Sequence, residues 1–401
     1  MRVERATPDT GRRHAGSPQA QRNAMRSSHM DTLDQNKQNR RKFLQQVALG
    51  TAALGTFPRL LAQPSPSPSS RKLGVTLCGL GSYSTGQLGP ALRQTEHCEL
   101  SGVVTGDPEK GRRWAREYGF PESSVYGYDT IEEMADNDDI DILYSVTPPA
   151  LHKRDTLLGF KAGKHVISEK PMAMDVAECD EMLAAARHAG KQLAIGYRAH
   201  FHPYYELLKD AAADSRFGNF TDISGGFGFN YRPGGTWRMK RDMGGGPLMD
   251  LGVYVLYVSA MAKNEQAPIA VTAKIPTAKF PNTFDEVEET MYFTIEYADG
   301  STCDGETSWV QPSNHFRAEG DKGWFETGPA YSYGGLNGKT SIQGALPSYA
   351  GFNQQAKQMD SIALDFKENQ ETIVPGELGR REIQIIQAIR EAARTGKRIL
   401  L

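Results

Sequence analysis

Cysteine is scarce in this 401-residue chain, with only Cys78, Cys98, Cys179 and Cys303, and none of the four stands in CxxC spacing. That scarcity excludes a disulfide framework and a zinc knuckle, so the thiols read as free and mostly buried. Charge of one sign is missing as well. The 46 lysines and arginines nearly balance 48 aspartates and glutamates, for a net charge of -2, which excludes a polyelectrolyte surface and with it a nucleic-acid partner. There is no internal repeat. The apolar stretch 47–61 is broken by Pro58 and Arg59 and is too short for a stable membrane span.

The first seventy residues differ from the rest. Residues 1–29 are basic, polar and aperiodic, as a disordered extension would be. Arg40-Arg41-Lys42-Phe43-Leu44, the apolar stretch and Ala62-Gln63 then supply the basic, apolar and small-residue parts of an export signal. Arginine pairs recur at Arg12, Arg112 and Arg380, but only the pair at Arg40 precedes Phe-Leu and an apolar run free of acidic residues. Residues 1–62 are therefore expected to be a disordered terminus with a twin-arginine export signal, handled by that machinery and leading to the periplasm or beyond. The Pro/Ser-rich 63–71 reads as an extended linker or arm.

Beyond the linker the pattern is α/β. Short apolar runs at Leu73–Cys78, Leu100–Val104, Ile140–Val146, Lys164–Ser168 and Gln192–Gly196 alternate with helical stretches at Gly86–Gln94, Glu109–Tyr118, Thr130–Ala135 and Val176–Ala189. That alternation predicts a parallel sheet of Rossmann type over 72–196. Over 197–401 the runs lengthen and alternate, at Phe220–Asn230, Ile269–Ile275, Glu289–Tyr297 and Ser301–Val310, which predicts an α+β domain on a large, mostly antiparallel, open-faced sheet. A last helix, Arg381–Thr395, has one apolar face and can pack back on the first domain. The uncovered sheet face asks for a second subunit, so a homodimer or homotetramer is expected.

Three clusters carry chemistry. Gly79-Leu80-Gly81-Ser82-Tyr83-Ser84 follows a strand and opens a helix, where glycines bring backbone amides to a pyrophosphate; Ser84 replaces the third glycine of GxGxxG. The second strand ends at Thr105, with Lys110 and Arg112 nearby. That composition suits a 2'-phosphate and favours NADP over NAD, although Asp107 would reverse the preference if the strand ended later, and is otherwise a plain helix cap. Glu169-Lys170-Pro171 lies at the carboxyl end of a parallel strand, facing the dinucleotide crevice. Asp250 and Tyr254 are four residues apart on one helical face, and an ammonium near that phenol favours the phenolate. The plain alternative has Asp250 capping a helix and Tyr254 in its core. Tyr197, Arg198, His200 and His202 end the last parallel strand. Tyr197 and His200, with Trp237-Arg238, suit a polyol; no third ligand at metal spacing joins the histidines, so no metal is expected.

Together these residues resemble the Gfo/Idh/MocA oxidoreductase family from Lys72 onward. The segments that carry the resemblance include Gly79-Leu80-Gly81, Ala162-Gly163-Lys164-His165-Val166, Glu169-Lys170-Pro171, Gly196-Tyr197-Arg198, Gly244-Gly245-Gly246 and Asp250-x-Gly252-x-Tyr254. The resemblance implies tightly bound NADP, with contacts from Gly79, Gly81, Ser82, Tyr83, Thr105, Lys110, Pro148, His152, Glu169, Lys170 and Arg198. It implies a catalytic set of Lys170, Asp250 and Tyr254, and sugar contacts from Tyr197, His200, Trp237, Arg238, Asp250 and Tyr254. Where many relatives have histidine this chain has Tyr254, as in the sugar oxidoreductase and dihydrodiol dehydrogenase branches. Pro149 stands where the family often has asparagine, and 229–236 departs from the pattern beside the substrate. The expected reaction oxidises an aldose such as glucose to its lactone and reduces a second sugar such as fructose to an alditol, by ping-pong hydride transfer. The rivals are an NAD(P)-dependent sugar or dihydrodiol dehydrogenase with exchanging cofactor, and a non-catalytic sugar sensor or scaffold.

Overall fold

The structure is a computed structural model and describes residues 71–231 and 236–401. The expected export signal, most of the linker and residues 232–235 lie outside the described residues. Strands β1 (Leu73–Cys78), β2 (Cys98–Val104), β3 (Val125–Tyr126), β4 (Ile142–Ser145), β5 (His165–Ser168) and β6 (Leu193–Ile195) form one sheet in the order β3-β2-β1-β4-β5-β6. Every pairing in it is parallel. Helices cover both faces of such a sheet, which is why β1 reads as a continuous apolar run and is buried beyond Leu73.

After β1 the chain makes a π-helical turn, Ser84–Leu88, that runs into α1 (Gly89–Leu92), where one plain helix is expected from the sequence. Helix α2 (Pro108–Tyr118) starts at Asp107, whose carboxylate accepts the Lys110 amide, and stops at Gly119 with φ of 83°. The plain reading of Asp107 as a cap thus holds. Helices α3 (Pro149–Lys161) and α4 (Val176–Ala189) pack on each other beside the sheet. Because the chain runs outward from β1 through β2 to β3 and then crosses back to β4 on the other side of β1, the carboxyl ends of β1 and β4 open a crevice at the switch point. The glycine loop, Thr147-Pro148 and Glu169-Lys170 all sit at those ends.

The second sheet is built from β7 (Phe220–Gly228), β8 (Pro268–Lys274), β9 (Thr290–Tyr297), β10 (Thr302–Ser308), β11 (Ser313–Gly320), β12 (Gly323–Thr327), β13 (Gly338–Thr340), β14 (Gly344–Ala345) and β15 (Ile399–Leu400). Its order is β14-β13-β12-β11-β7-β10-β9-β8-β15. The pairing is antiparallel except at its centre, where β7 and β10 run parallel, which is the large, mostly antiparallel sheet expected from the sequence. Along β9, Met291, Phe293, Ile295 and Tyr297 are buried, while Tyr292, Thr294 and Glu296 show partly on the other face. That is the alternation of a sheet with one covered side.

Helices α6 (Val253–Ala262) and α8 (Gly376–Thr395) supply the cover, with α5 (Pro203–Ala213) packed on α6, whereas α7 (Gln354–Glu368) packs against β2 and α1 of the first domain. Every residue of α6 is buried. The stretch Arg241–Ala262 is long and apolar enough to cross a membrane by composition, but its apolar window is 100% buried in the core. Helix α8 starts at Gly376 rather than near residue 381 and contacts β8, β6 and α4, so it touches both sheets. Gly379 allows this approach, since a Cβ there would meet the Met172 side chain at 2.8 Å. All four cysteines are free and buried.

Candidate active site

The candidate site begins with Lys170, which stands two residues beyond the end of β5 at the crevice and precedes a cis Lys170–Pro171 peptide. Its ammonium donates to the Asp250 backbone oxygen and to Asp250 Oδ1, both at 2.9 Å. Arg238 Nε donates to the other carboxylate oxygen at 2.6 Å. Two cations therefore grip one buried carboxylate. Burial works against a charged Asp250, yet Lys170 and Arg238 outweigh it and hold the carboxyl at about 2, well ionised at neutral pH. The same contact acts on the partner: burial opposes the Lys170 ammonium, and Asp250, with Tyr254 and Glu169 behind it, offsets this, so its pKa is raised.

Asp250 lies in the π-helical turn Leu248–Gly252, which runs into α6, and Tyr254 follows within α6. Lys170 Nζ stands 4.9 Å from the centre of the Tyr254 ring. The phenol oxygen itself accepts from Arg198 Nε at 3.3 Å. Lys170 thus stands close to Tyr254, where its field acts on the phenol, while its hydrogen bonds go to Asp250.

Two hollows meet at this set. The larger, about 550 Å³, is walled by Phe227, Phe229, Tyr231, Tyr331 and Tyr333. The smaller, about 100 Å³, lies toward the Rossmann side and is lined by Tyr83, Val146, Thr147, Pro149, Glu169 and Trp237. Lys170, Arg238, Asp250, Tyr254 and Tyr333 line both. One side has the size and aromatic walls of a small polyol site, and the other opens on the dinucleotide crevice. A further hollow of about 630 Å³ lies on the outer face of the second sheet, away from Lys170, Asp250 and Tyr254.

The glycine loop fits a dinucleotide. Gly79 has φ of 100°, and a Cβ on Gly81 would meet nothing within 4 Å, so that backbone stands clear for a phosphate to approach. Ser82 and Tyr83 follow at the crevice lip, and Pro148 precedes α3. Lys110 donates its ammonium to the Leu80 carbonyl, fastening the loop to α2. Thr105 is buried and accepts the Asp107 amide at 3.1 Å. Glu169 is buried too, accepting from the Tyr144 hydroxyl at 2.7 Å, and burial raises its pKa. Gln358 of α7 in turn donates to Tyr144 at 2.7 Å.

Three expected contacts lie elsewhere. His152 is 1% exposed, and its ring nitrogens face the carbonyls of Thr147 at 2.8 Å and Pro171 at 2.9 Å. It ties two crevice loops together and has no nitrogen left for a cofactor. Tyr197 and His200 are 0% and 1% exposed and pack around Tyr257 beneath the crevice floor, out of reach of a sugar. Burial drives the His200 pKa well down. Trp237 and Arg238 do line the crevice, with the guanidinium 4.4 Å from the indole centre. Among the described residues, no group of three or more His, Cys, Asp or Glu side chains is placed to hold a metal ion.

Sequence reasoning missed the strap that carries Tyr331, Ser332 and Tyr333. Asn314 Oδ1 pins it by accepting the Ala330 and Tyr331 amides at 2.7 and 2.8 Å, and Gln354 donates to the Ser332 and Tyr333 carbonyls. Glycine-rich punctuation marks 334–335 as a loop, but nothing local says that the loop closes over a crevice.

Known proteins resemble this chain in sequence and fold. Residues 73–197 match the model of an oxidoreductase family with an NAD-binding Rossmann fold, and residues 205–326 match the C-terminal domain of the same Gfo/Idh/MocA group. The crystal structure of an aldose-aldose oxidoreductase from Caulobacter crescentus, complexed with glycerol, is similar at 35% identity with a TM-score of 0.79, over 82% of this chain and 100% of that one. A trans-1,2-dihydrobenzene-1,2-diol dehydrogenase of Xenopus tropicalis is 29% identical over 44% of this chain and 52% of its own length. A 1,5-anhydro-D-fructose reductase of Ensifer adhaerens is 32% identical over 39% of this chain and 46% of its own. The chain thus spans about half the length of the curated relatives it matches. Its two matched domains, with a structural likeness over 82% of its length, make it a member of the Gfo/Idh/MocA oxidoreductase family.

Proposed function

We propose that this chain is a sugar oxidoreductase that exchanges hydride between two sugars through one tightly held nicotinamide nucleotide, oxidising an aldose to its lactone and reducing a second sugar to an alditol. The observation that carries the reading is the meeting of the two hollows at Lys170, Asp250 and Tyr254. The likeness to an aldose-aldose oxidoreductase supports it and widens the acceptor from fructose to a second aldose.

A nicotinamide, when bound, supplies the hydride acceptor and donor. The chain's own residues handle the proton and the orientation. Tyr254 takes the proton of the C1 hydroxyl in the oxidative half and returns it in the reductive half. Lys170 carries three N–H donors, two of them on Asp250, which leaves one for the reacting oxygen. Asp250, kept ionised by its two cations, accepts from a neighbouring sugar hydroxyl and fixes the ring. Thr105 beside Lys110 supports NADP over NAD, since neither brings a carboxylate to the ribose. Export through Arg40-Arg41 completes the proposal, because a nucleotide inserted before translocation would need to be held tightly afterwards.

The test is absorbance on protein purified without added nucleotide. A reduced-nicotinamide band that rises with glucose and falls with fructose, or with a second aldose, supports the two-sugar exchange. Purification without nucleotide, with activity only on added NAD(P), replaces it by the exchanging dehydrogenase that the dihydrodiol dehydrogenase likeness also accommodates.

A further inference from the structure

Arg198 is 2% exposed, yet among the described residues none of its hydrogen-bond partners is anionic. Its Nη1 donates to Gln354 Oε1 at 2.6 Å and to the Ser332 carbonyl at 3.2 Å, its Nη2 to the Tyr331 carbonyl, and its Nε to the Tyr254 hydroxyl at 3.3 Å. Lys170 and Arg238, by contrast, share Asp250. A guanidinium buried without a carboxylate is costly and gains most from a negative charge forming beside it. The group placed to carry that charge is the Tyr254 oxygen. By accepting the Nε–H, this oxygen also turns its own O–H away from Arg198. The planar fork is locked by three further acceptors, so it cannot swing off the phenol.

We infer that Arg198 is a positioning residue for Tyr254: it holds the phenol oxygen in line and stabilises the phenolate, while Lys170 is committed to Asp250 and the substrate oxygen. This rests on the proposed role of Tyr254 as the proton acceptor, and it differs from a role for Arg198 in nucleotide binding. The other titratable groups facing Tyr254 are Lys170 over its ring, Asp250 one turn earlier, and the phenols of Tyr83, Tyr257, Tyr331 and Tyr333. None of these donates a hydrogen bond to the Tyr254 oxygen among the described residues.

The experiment compares the parent with R198K, R198M, Y254F and the R198K/Y254F pair, each checked for bound nucleotide and melting temperature. Ultraviolet titration, taken as the difference between each protein and its Y254F counterpart, isolates the tyrosinate signal of residue 254 without needing a substrate. In R198K this signal should appear about one pH unit or more above its position in the parent, since the donor to the charged form is lost. With glucose, kcat should fall on the order of ten- to a hundredfold with KM little changed, the range for one hydrogen bond to a charge. Adding R198K to Y254F should cost little more, as expected for two residues acting as a unit. If R198M does not fold, R198K carries the test. An unmoved tyrosinate signal in a folded R198K that keeps its nucleotide would overturn the inference, as would a loss confined to nucleotide content. A fully active Y254F would instead sink the reading of Tyr254 itself.

Discussion

At the residue scale, the division of labour among three cations decides what each substitution does. Lys170→Met should lower turnover by on the order of 10²–10⁴ while nucleotide stays bound, because the lost donor serves the reacting oxygen and not the phosphates. Single-turnover absorbance on the purified variant checks this, and unchanged turnover would remove Lys170 from the mechanism. Asp250 gives a pH prediction whose sign follows from its depressed value. A carboxyl held at about 2 in the folded state stabilises the fold above its unfolded value and loses that contribution as pH falls through about 2. The amount is on the order of 2 kcal/mol, counted once for the whole ion-paired cluster. Denaturant titrations from pH 5 to 2 should therefore fall less steeply for Asp250→Asn than for the parent. Lys170 was legible as a crevice residue because it follows a strand end, Asp250 and Tyr254 because they share a helical face, and Trp237 and Arg238 because an aromatic face beside a fork of donors suits a polyol. Tyr197 and His200 were misread because position near a strand end does not tell which way a ring turns, and His152, expected at the cofactor from the resemblance, spends its ring on two backbone carbonyls instead.

At the element scale, α7 links stability to the site. Asn353 caps it by accepting the Gln355 and Ala356 amides at 3.1 Å, and the helix then presents Gln354 to Arg198 and Gln358 to Tyr144. Asn353→Ala should cost about 1 kcal/mol, read as a lower denaturation midpoint, and should lower kcat as well, since fraying the first turn releases Gln354. A cap acting only on the fold would leave kcat of the folded fraction unchanged. This helix was readable and went unread: Met359, Ile362, Ala363 and Phe366 stand at i, i+3, i+4 and i+7. Strand β11 gave no such signal. Only Phe316 and Ala318 are buried in Ser313–Gly320, so its place beside β7 comes from pairing rather than from its own pattern.

At the scale of the whole molecule, the outer face of the second sheet carries Tyr292, Thr294, Asp304 and His315 around the 630 Å³ hollow. We expect a second copy of the chain to cover it, by the same reasoning that leaves an open sheet face in need of a partner. Light scattering on the purified protein should give a dimer or tetramer, and Tyr292→Glu should shift it toward monomer; a monomeric parent would refute this. Export is checked by fractionating cells that make the full chain, where Arg40→Lys with Arg41→Lys should leave it inside.

The sequence by itself determined the parallel first sheet, the glycine loop, the lysine at a strand end and the Asp–Tyr pair on one helical face. These are set by periodicities of a few residues and by backbone conformations that only certain residues adopt. The tertiary structure alone decided which cation meets which anion. Lys170 and Arg238 converge on Asp250, and Arg198 reaches Tyr254, across separations of up to 80 residues. Such contacts depend on how the two sheets and the strap close around the crevice, and the cost of burying charge selects among them only once that enclosure exists.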